Sequence, residues 1–128
     1  MDVKLSPSME DYLKTIHFLE KQEGAVRVKN IAMQMDITMP SVSSALKNLE
    51  KQGFVCHPRY DLVGLTPRGM LIAEEVERRH RVIKDFLSHV LGVEYEIAEK
   101  DACGMEHSMS PETLQSLVRF METESVKG

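Results

Sequence analysis

Apolar residues recur at helical spacing over most of the chain. A first helix is predicted over about residues 8–22, with Ser8 as its N-cap. A short second helix is predicted over 28–35 and a third over about 40–52, with Thr38 as its candidate cap. A glycine follows both the first and the third of these helices, as is common where a helix ends.

The regular helical spacing is interrupted once, between the third helix and a long fourth one. Two short β-prone runs flank a polar middle over residues 54–66, which predicts a hairpin. Pro58 and Gly64 fit a loop tip or a sheet edge better than a central strand. Thr66 caps the helix that follows. Further helices are predicted over about 67–91, 94–107 and 111–123.

Helix, short helix, turn, helix and hairpin is the element order of a winged helix-turn-helix domain. The fold class predicted is therefore mainly α, with a winged helix-turn-helix DNA-binding domain over 1–70 followed by an α-helical domain over 71–128. The alternative is a helical bundle whose serine-rich face is merely solvated.

Charge is unevenly distributed along the 128 residues, whose net charge is −4. Residues 25–70 carry 6 basic and 3 acidic side chains, a balance of +3 within an acidic chain, as a nucleic-acid-binding module would. The composition argues against disorder and against a membrane helix, and the N-terminus has no apolar secretory segment. Two cysteines are too few for a disulfide scaffold, so we expect a reducing cytoplasm.

The third helix is predicted to present small polar residues to DNA, because serines at its first turn allow close approach to phosphates and base edges. The absence of Arg or Gln near its start favours modest, shape-assisted specificity over strong base readout. Basic and aromatic residues at the hairpin tip would form a wing. The candidate DNA-binding residues are Arg27, Lys29, Thr38, Pro40, Ser41, Ser43, Ser44, Lys47, Arg59 and Tyr60.

A second constellation is Cys103, Glu106 and His107, at i, i+3 and i+4 of one predicted helix. A thiolate, a carboxylate and an imidazole are donors that a borderline divalent transition metal accepts. Asp11 and His80 are further candidate donors, if their helices pack against this segment. Taken singly, each residue also has an ordinary structural interpretation, such as a small buried cysteine or a solvated polar face.

The sequence resembles the diphtheria toxin repressor family of metal-activated transcription regulators over nearly its whole length. The segment from Cys103 to His107 matches the family's regulatory metal motif, in which Cys or Glu and two spacers precede Glu-His. The other matching stretches are Ser8-Met-Glu-Asp-Tyr12, Ile31-Ala32, Pro40-Ser-Val42, Leu65-Thr-Pro-Arg-Gly69 and Arg79-His80-Arg81.

The resemblance implies a role for individual residues. Asp11 occupies the position of a Met or Asp ligand, and His80 that of the long-helix histidine. Glu99 falls at an auxiliary position of the iron-sensing branch. Lys14 and Lys84 stand where other members have carboxylates, so we expect one complete metal site and a second weakened or lost. We also expect no SH3-like third domain of the kind found in the longer iron regulators, which suits the manganese branch.

The function expected is that of a metal-activated repressor that binds a palindromic double-stranded operator as a homodimer and controls divalent-metal homeostasis. We expect one Fe²⁺ per chain, with Mn²⁺ the second choice and Co²⁺ or Ni²⁺ as substitutes. The alternatives are a winged-helix repressor that responds to a redox or organic signal and, less favoured, a metalloenzyme. We expect no enzymatic activity, organic substrate or membrane association.

Overall fold

The computed structural model describes residues 5–57 and 62–127, with side chains through residue 123. The chain divides into two compact units, residues 1–74 and 75–128. Among the described residues, no helix combines the length and apolar character needed to cross a bilayer.

The first unit is a winged helix-turn-helix domain, as predicted. Its three helices enclose a core that includes the fully buried Leu13, Ile31 and Leu46. Strand β3 (Leu62–Leu65) lies between β1 (Val26–Arg27) and β2 (Val55–Cys56) and pairs antiparallel with both. The elements are α1 (Pro7–Glu23), β1 (Val26–Arg27), α2 (Val28–Met35), α3 (Met39–Lys51), β2 (Val55–Cys56) and β3 (Leu62–Leu65).

Two of the helix boundaries confirm the sequence signals and one corrects them. The Ser41 N–H donates to Thr38 Oγ1 at 3.3 Å, so Thr38 caps α3. Gly53 follows α3 with a φ of 83°, a conformation that glycine adopts without strain. The prediction of Ser8 as the N-cap of α1 is wrong. Ser6 takes that place and accepts from the Met9 N–H at 3.2 Å, because Pro7 fits the first helical position.

The sheet differs from the predicted hairpin in two respects. The pattern missed β1, which is only two residues long and too short to show an alternation. Gly64 lies in the central strand and not at an edge. A Cβ at Gly64 would lie 3.3 Å from Cys56 Sγ, so the cross-strand thiol occupies the space beside the glycine. Pro58 lies outside the described residues.

In the second unit, Ile83, Leu87, Ala98 and Ala102 form a small buried core. Helix α4 (Pro67–Asp85), within which the two units divide, is followed by one π-helical stretch (Phe86–Val90), where the sequence predicts an uninterrupted α-helix to residue 91. The remaining helices are α5 (Tyr95–Met105) and α6 (Pro111–Lys127). Helix α5 ends two residues earlier than predicted, which makes Glu106 its C-cap.

Candidate metal centre and nucleic-acid interface

Glu106 is the centre of a donor cluster in the second unit. Its side chain is 0% exposed, and its two oxygens face different histidines. Oε2 lies 2.9 Å from His80 Nδ1, and Oε1 lies 3.2 Å from His107 Nε2. Because a buried carboxylate needs hydrogen bonds or positive charge around it, the two imidazoles account for its position.

The three residues come together because α4 runs beside the end of α5. His80 belongs to α4, while Glu106 and His107 lie in the turn that closes α5. The Arg79 guanidinium donates to the Glu106 carbonyl oxygen at 3.0 Å, so a cation on α4 fixes the carbonyl of the residue that caps α5. The sequence analysis noted Arg79 only as part of a matched stretch. Its position next to His80 in the sequence was the signal that could have pointed to a place near the donor cluster.

Cys103 lies on the open side of this cluster. Its side chain is exposed, and its Sγ is 3.8 Å from His80 Nδ1. The thiol therefore shares one neighbour, His80 Nδ1, with the buried carboxylate. Since α5 ends at Met105, only Cys103 of the predicted three is within the helix, and the turn brings the other two to the same place.

Glu99 and Lys84 extend the cluster on its other side. His80 Nε2 lies 2.9 Å from Glu99 Oε1, and Lys84 Nζ lies 3.7 Å from Glu99 Oε2. Lys84 also donates to Tyr95 Oη at 3.3 Å, with its ammonium 5.1 Å from the ring centre. Partial burial lowers the Lys84 pKa, but Tyr95 and the carboxylates of Glu99 and Asp85 outweigh it, so the pKa is raised.

The donor set of the second unit suits a borderline divalent ion. It offers one thiol, two carboxylates and two imidazoles, a mixture of soft, hard and intermediate ligands. His80 meets a carboxylate at each ring nitrogen, yet a neutral imidazole has only one N–H to donate. A metal ion at a ring nitrogen would take the place of a proton there. The residues present therefore fit a metal.

The remaining predicted ligand, Asp11, belongs to the first unit. It lies in α1, where its side chain is half-buried. Its role as a ligand stays a prediction.

The face predicted to meet DNA forms an open groove in the first unit. The groove has a volume of about 560 Å³ and lies between the first turn of α1 and the exposed side of α3. Helix N-termini carry partial positive charge and unsatisfied N–H groups, which favour an anion such as phosphate. The lining residues are Ser8, Tyr12, Pro40, Ser41, Ser44, Ala45 and Asn48.

The other predicted DNA-binding residues lie in several places. Lys47 is exposed on α3, whereas Ser43 is half-buried there, away from the fully exposed positions. Arg27 and Lys29 are exposed around the start of α2. The sequence analysis did not include Ser8 or Tyr12 among the candidates, although the serines at the start of α1 were a visible signal. Arg59 and Tyr60 lie outside the described residues.

A winged helix-turn-helix unit, followed by a helical unit with a thiol, carboxylate and imidazole cluster, defines a class of protein. This combination is typical of a metal-responsive transcription regulator, in which one domain binds DNA and the other binds the ion.

Comparison with known proteins identifies the family. The N-terminal DNA-binding domain of iron-dependent repressors matches residues 4–63, and their metal-binding and dimerisation domain matches residues 66–126. The chain therefore belongs to the iron-dependent repressor family, which confirms the resemblance stated above. It is a metal-dependent transcription regulator and not an enzyme.

Individual relatives agree with this assignment. Transcriptional regulator MntR of Salmonella typhimurium is 38% identical over 114 residues, which cover 89% of this chain and 72% of MntR. HTH-type transcriptional regulator MJ0568 of Methanocaldococcus jannaschii is 33% identical over 119 residues, which cover 92% of this chain and 95% of that protein. The structure of the manganese regulator SloR superposes with a TM-score of 0.80 at 30% identity, covering 92% of this chain and 55% of SloR. The chain thus spans about half the length of that solved structure.

Proposed function

We propose that this chain is a metal-activated repressor that binds a palindromic operator as a homodimer and controls divalent-metal homeostasis in the cytoplasm. The observation that carries the proposal is the buried Glu106, whose oxygens face His80 and His107 in a chain that also has a grooved winged helix-turn-helix unit. We take residues 1–70 as the DNA-binding domain and 71–128 as the dimerisation and metal-binding domain.

One ion per chain would be held by ligands from both predicted domains. Cys103, Glu106, His107 and His80 would supply most of the donors, with Glu99 contributing through His80. Asp11 would add a carboxylate from the first helix, on the strength of the family motif. When bound, the ion would supply positive charge that holds these donors in one arrangement.

DNA binding would depend on the α3 face and its surroundings. Ser41 and Ser44 line the groove and would meet base edges or phosphates, while Lys47 would meet a phosphate. Arg59 and Tyr60 would contact the DNA as the wing. The rest of the interface would be Thr38, Pro40, Ser43, Arg27 and Lys29. In a two-fold dimer the half-sites would be about 10 base pairs apart, or a multiple of that.

The physiological ion would be Mn²⁺ or Fe²⁺. The likeness to a protein described as a manganese regulator supports Mn²⁺. The thiol of Cys103 supports Fe²⁺, because a soft ligand raises affinity along the series from Mn²⁺ towards Ni²⁺. Co²⁺ and Ni²⁺ would therefore also bind in vitro.

Replacing the thiol tests this account of the ligands. Cys103→Ser should weaken the binding of Fe²⁺ (measured anaerobically) and of Co²⁺ by on the order of tenfold or more. It should weaken the binding of Mn²⁺ by less, because a hydroxyl is a poor substitute for a thiolate. Titration calorimetry measures both affinities, and Cys56→Ser is the matched control, since that thiol lies in β2. Equal losses for all ions would show that the thiol is not a ligand.

A further inference from the structure

Lys84 carries an ammonium group into the outer side of the donor cluster. Its side chain is 20% exposed and lies 3.7 Å from a Glu99 oxygen, while the other oxygen of Glu99 faces His80. Three charged or ionisable groups therefore follow one another from the buried Glu106 outwards: His80, Glu99 and Lys84. The outermost of these groups, the Lys84 ammonium, is positively charged.

Tyr95 keeps the ammonium in that place. Its hydroxyl accepts a hydrogen bond from Lys84 Nζ at 3.3 Å, and its ring provides a second, cation–π contact at 5.1 Å. Tyr95 is the first residue of α5, and Glu99 follows one turn later on the same helix. The hydroxyl and the carboxylate that contact the Lys84 ammonium thus come from one helix.

We propose that the Lys84 ammonium, held in place by Tyr95, neutralises the Glu99 carboxylate beside His80. This restricts each chain to a single divalent ion. A carboxylate and an imidazole 2.9 Å apart would otherwise be the beginning of a second ion site. With the ammonium in place, a second dication would meet direct repulsion at short range. This inference rests on the metal binding in the proposed function, and not on the response of DNA affinity to the ion.

The test counts ions and needs no DNA. Native mass spectrometry and calorimetry with Mn²⁺ should give one ion per wild-type chain. Lys84→Gln should raise the affinity for a second, weakly bound ion by on the order of a hundredfold, because the repelling charge is gone. Lys84→Glu should give two ions per chain, and Tyr95→Phe should lie between wild type and Lys84→Gln. Lys100→Gln is the matched control, since Lys100 is exposed on α5.

A second measurement uses the metal-free chain. The imidazole NMR signals of His80 should shift in Lys84→Gln and move less in Lys100→Gln, because Lys84 is the cation 3.7 Å from a Glu99 oxygen, whereas Lys100 is exposed on α5. One ion in every variant, two comparable ions in the wild type, or unmoved His80 signals would overturn the inference. If instead the ion counts follow the expectation and no ion alters DNA affinity, the proposed function fails and this inference stands.

Discussion

The segment from Thr66 to Gly69 fixes the start of α4 through contacts of Thr66, Arg68 and Gly69. Thr66 donates to the Gly53 carbonyl at 2.6 Å and accepts from the Gly69 N–H at 3.1 Å, which caps the helix. The Arg68 guanidinium lies 4.6 Å from the centre of the Phe54 ring. One of the basic residues counted in the positive middle segment is therefore engaged in contacts within its own domain.

Gly69 is the position in this segment that tolerates least change. A Cβ there would run into the Phe54 carbonyl oxygen and lie 3.3 Å from a Leu65 methyl carbon. Gly69→Ala should lower the free energy of unfolding by about 1–3 kcal/mol, measured by urea denaturation. Gly104→Ala is the control, because a Cβ there meets nothing within 4 Å and should be neutral or stabilising by up to about 1 kcal/mol. Equal effects would contradict the close approach at Gly69.

Glu20 on α1 predicts a pH dependence of stability. Burial raises the pKa of its carboxyl, although the charge of His17 and the Leu65 backbone N–H oppose the shift. Its buried Oε1 has no hydrogen-bond partner among the described residues. Because the folded pKa lies above the ordinary value of 4.5, the fold favours the protonated acid, and stability falls as the pH rises from there through the folded pKa.

Glu20→Gln should remove that loss. The variant should have a higher melting temperature than wild type at pH 7, and the difference should disappear below about pH 4, where the acid is protonated in both states. Thermal unfolding followed at both pH values measures it. Glu23→Gln, at an exposed position of the same helix, should show no such difference. A gain that persists at low pH would mean that the charge of Glu20 is not its cause.

At the scale of elements, α3 and the first turn of α1 together line the groove that we propose as the surface for DNA. Prediction from sequence succeeded for α3 because its cap, proline and apolar face all agree. It failed for the groove, because no local pattern tells that Ser8 and Tyr12 of α1 lie beside Ser41 and Ser44. The same reason applies to the two-residue β1, which exists only through its pairing with β3.

Lys47 tests the orientation of α3. Lys47→Ala should weaken binding to all DNA sequences alike and reduce the salt dependence of binding by about one counterion for each Lys47 that contacts a phosphate. Fluorescence anisotropy at several salt concentrations gives the slope, with Lys100→Ala as the control on a helix of the second unit. An unchanged slope for Lys47→Ala would mean that α3 does not present this side chain to the backbone.

Part of the metal cluster, like part of the groove, could be predicted from the sequence and part could not. The spacing of Cys103, Glu106 and His107 was enough to predict a donor set, because neighbouring residues at that spacing converge in a helix or a helix end. The contacts of His80 with Glu106 and Glu99 depend on how α4 packs against α5, which the spacing does not encode. The sequence offered His80 as a donor only on the condition that its helix packs against this segment, and the contacts of Arg79 and Tyr95 came only from the packing.

For the whole molecule, the central claim is that ion binding and DNA binding are coupled. Coupling requires that the ion bind the DNA-competent arrangement more tightly, and it is reciprocal, so DNA must also tighten the ion. The ligands proposed from both predicted domains would provide the differential contacts. A dimer through the helical part would double the effect by presenting two DNA-binding domains to one operator.

The most direct test is the affinity for DNA from upstream of the chain's own gene, measured by fluorescence anisotropy with Mn²⁺, with anaerobic Fe²⁺ and with a chelator. We expect at least one of these ions to tighten binding by on the order of 5–150-fold, and the chelator to reverse the effect. Glu106→Gln should lose the response while keeping the weak metal-free binding, because the buried carboxylate is the centre of the donor cluster. The same affinity with ions and with chelator, or a full response in Glu106→Gln, would contradict the account.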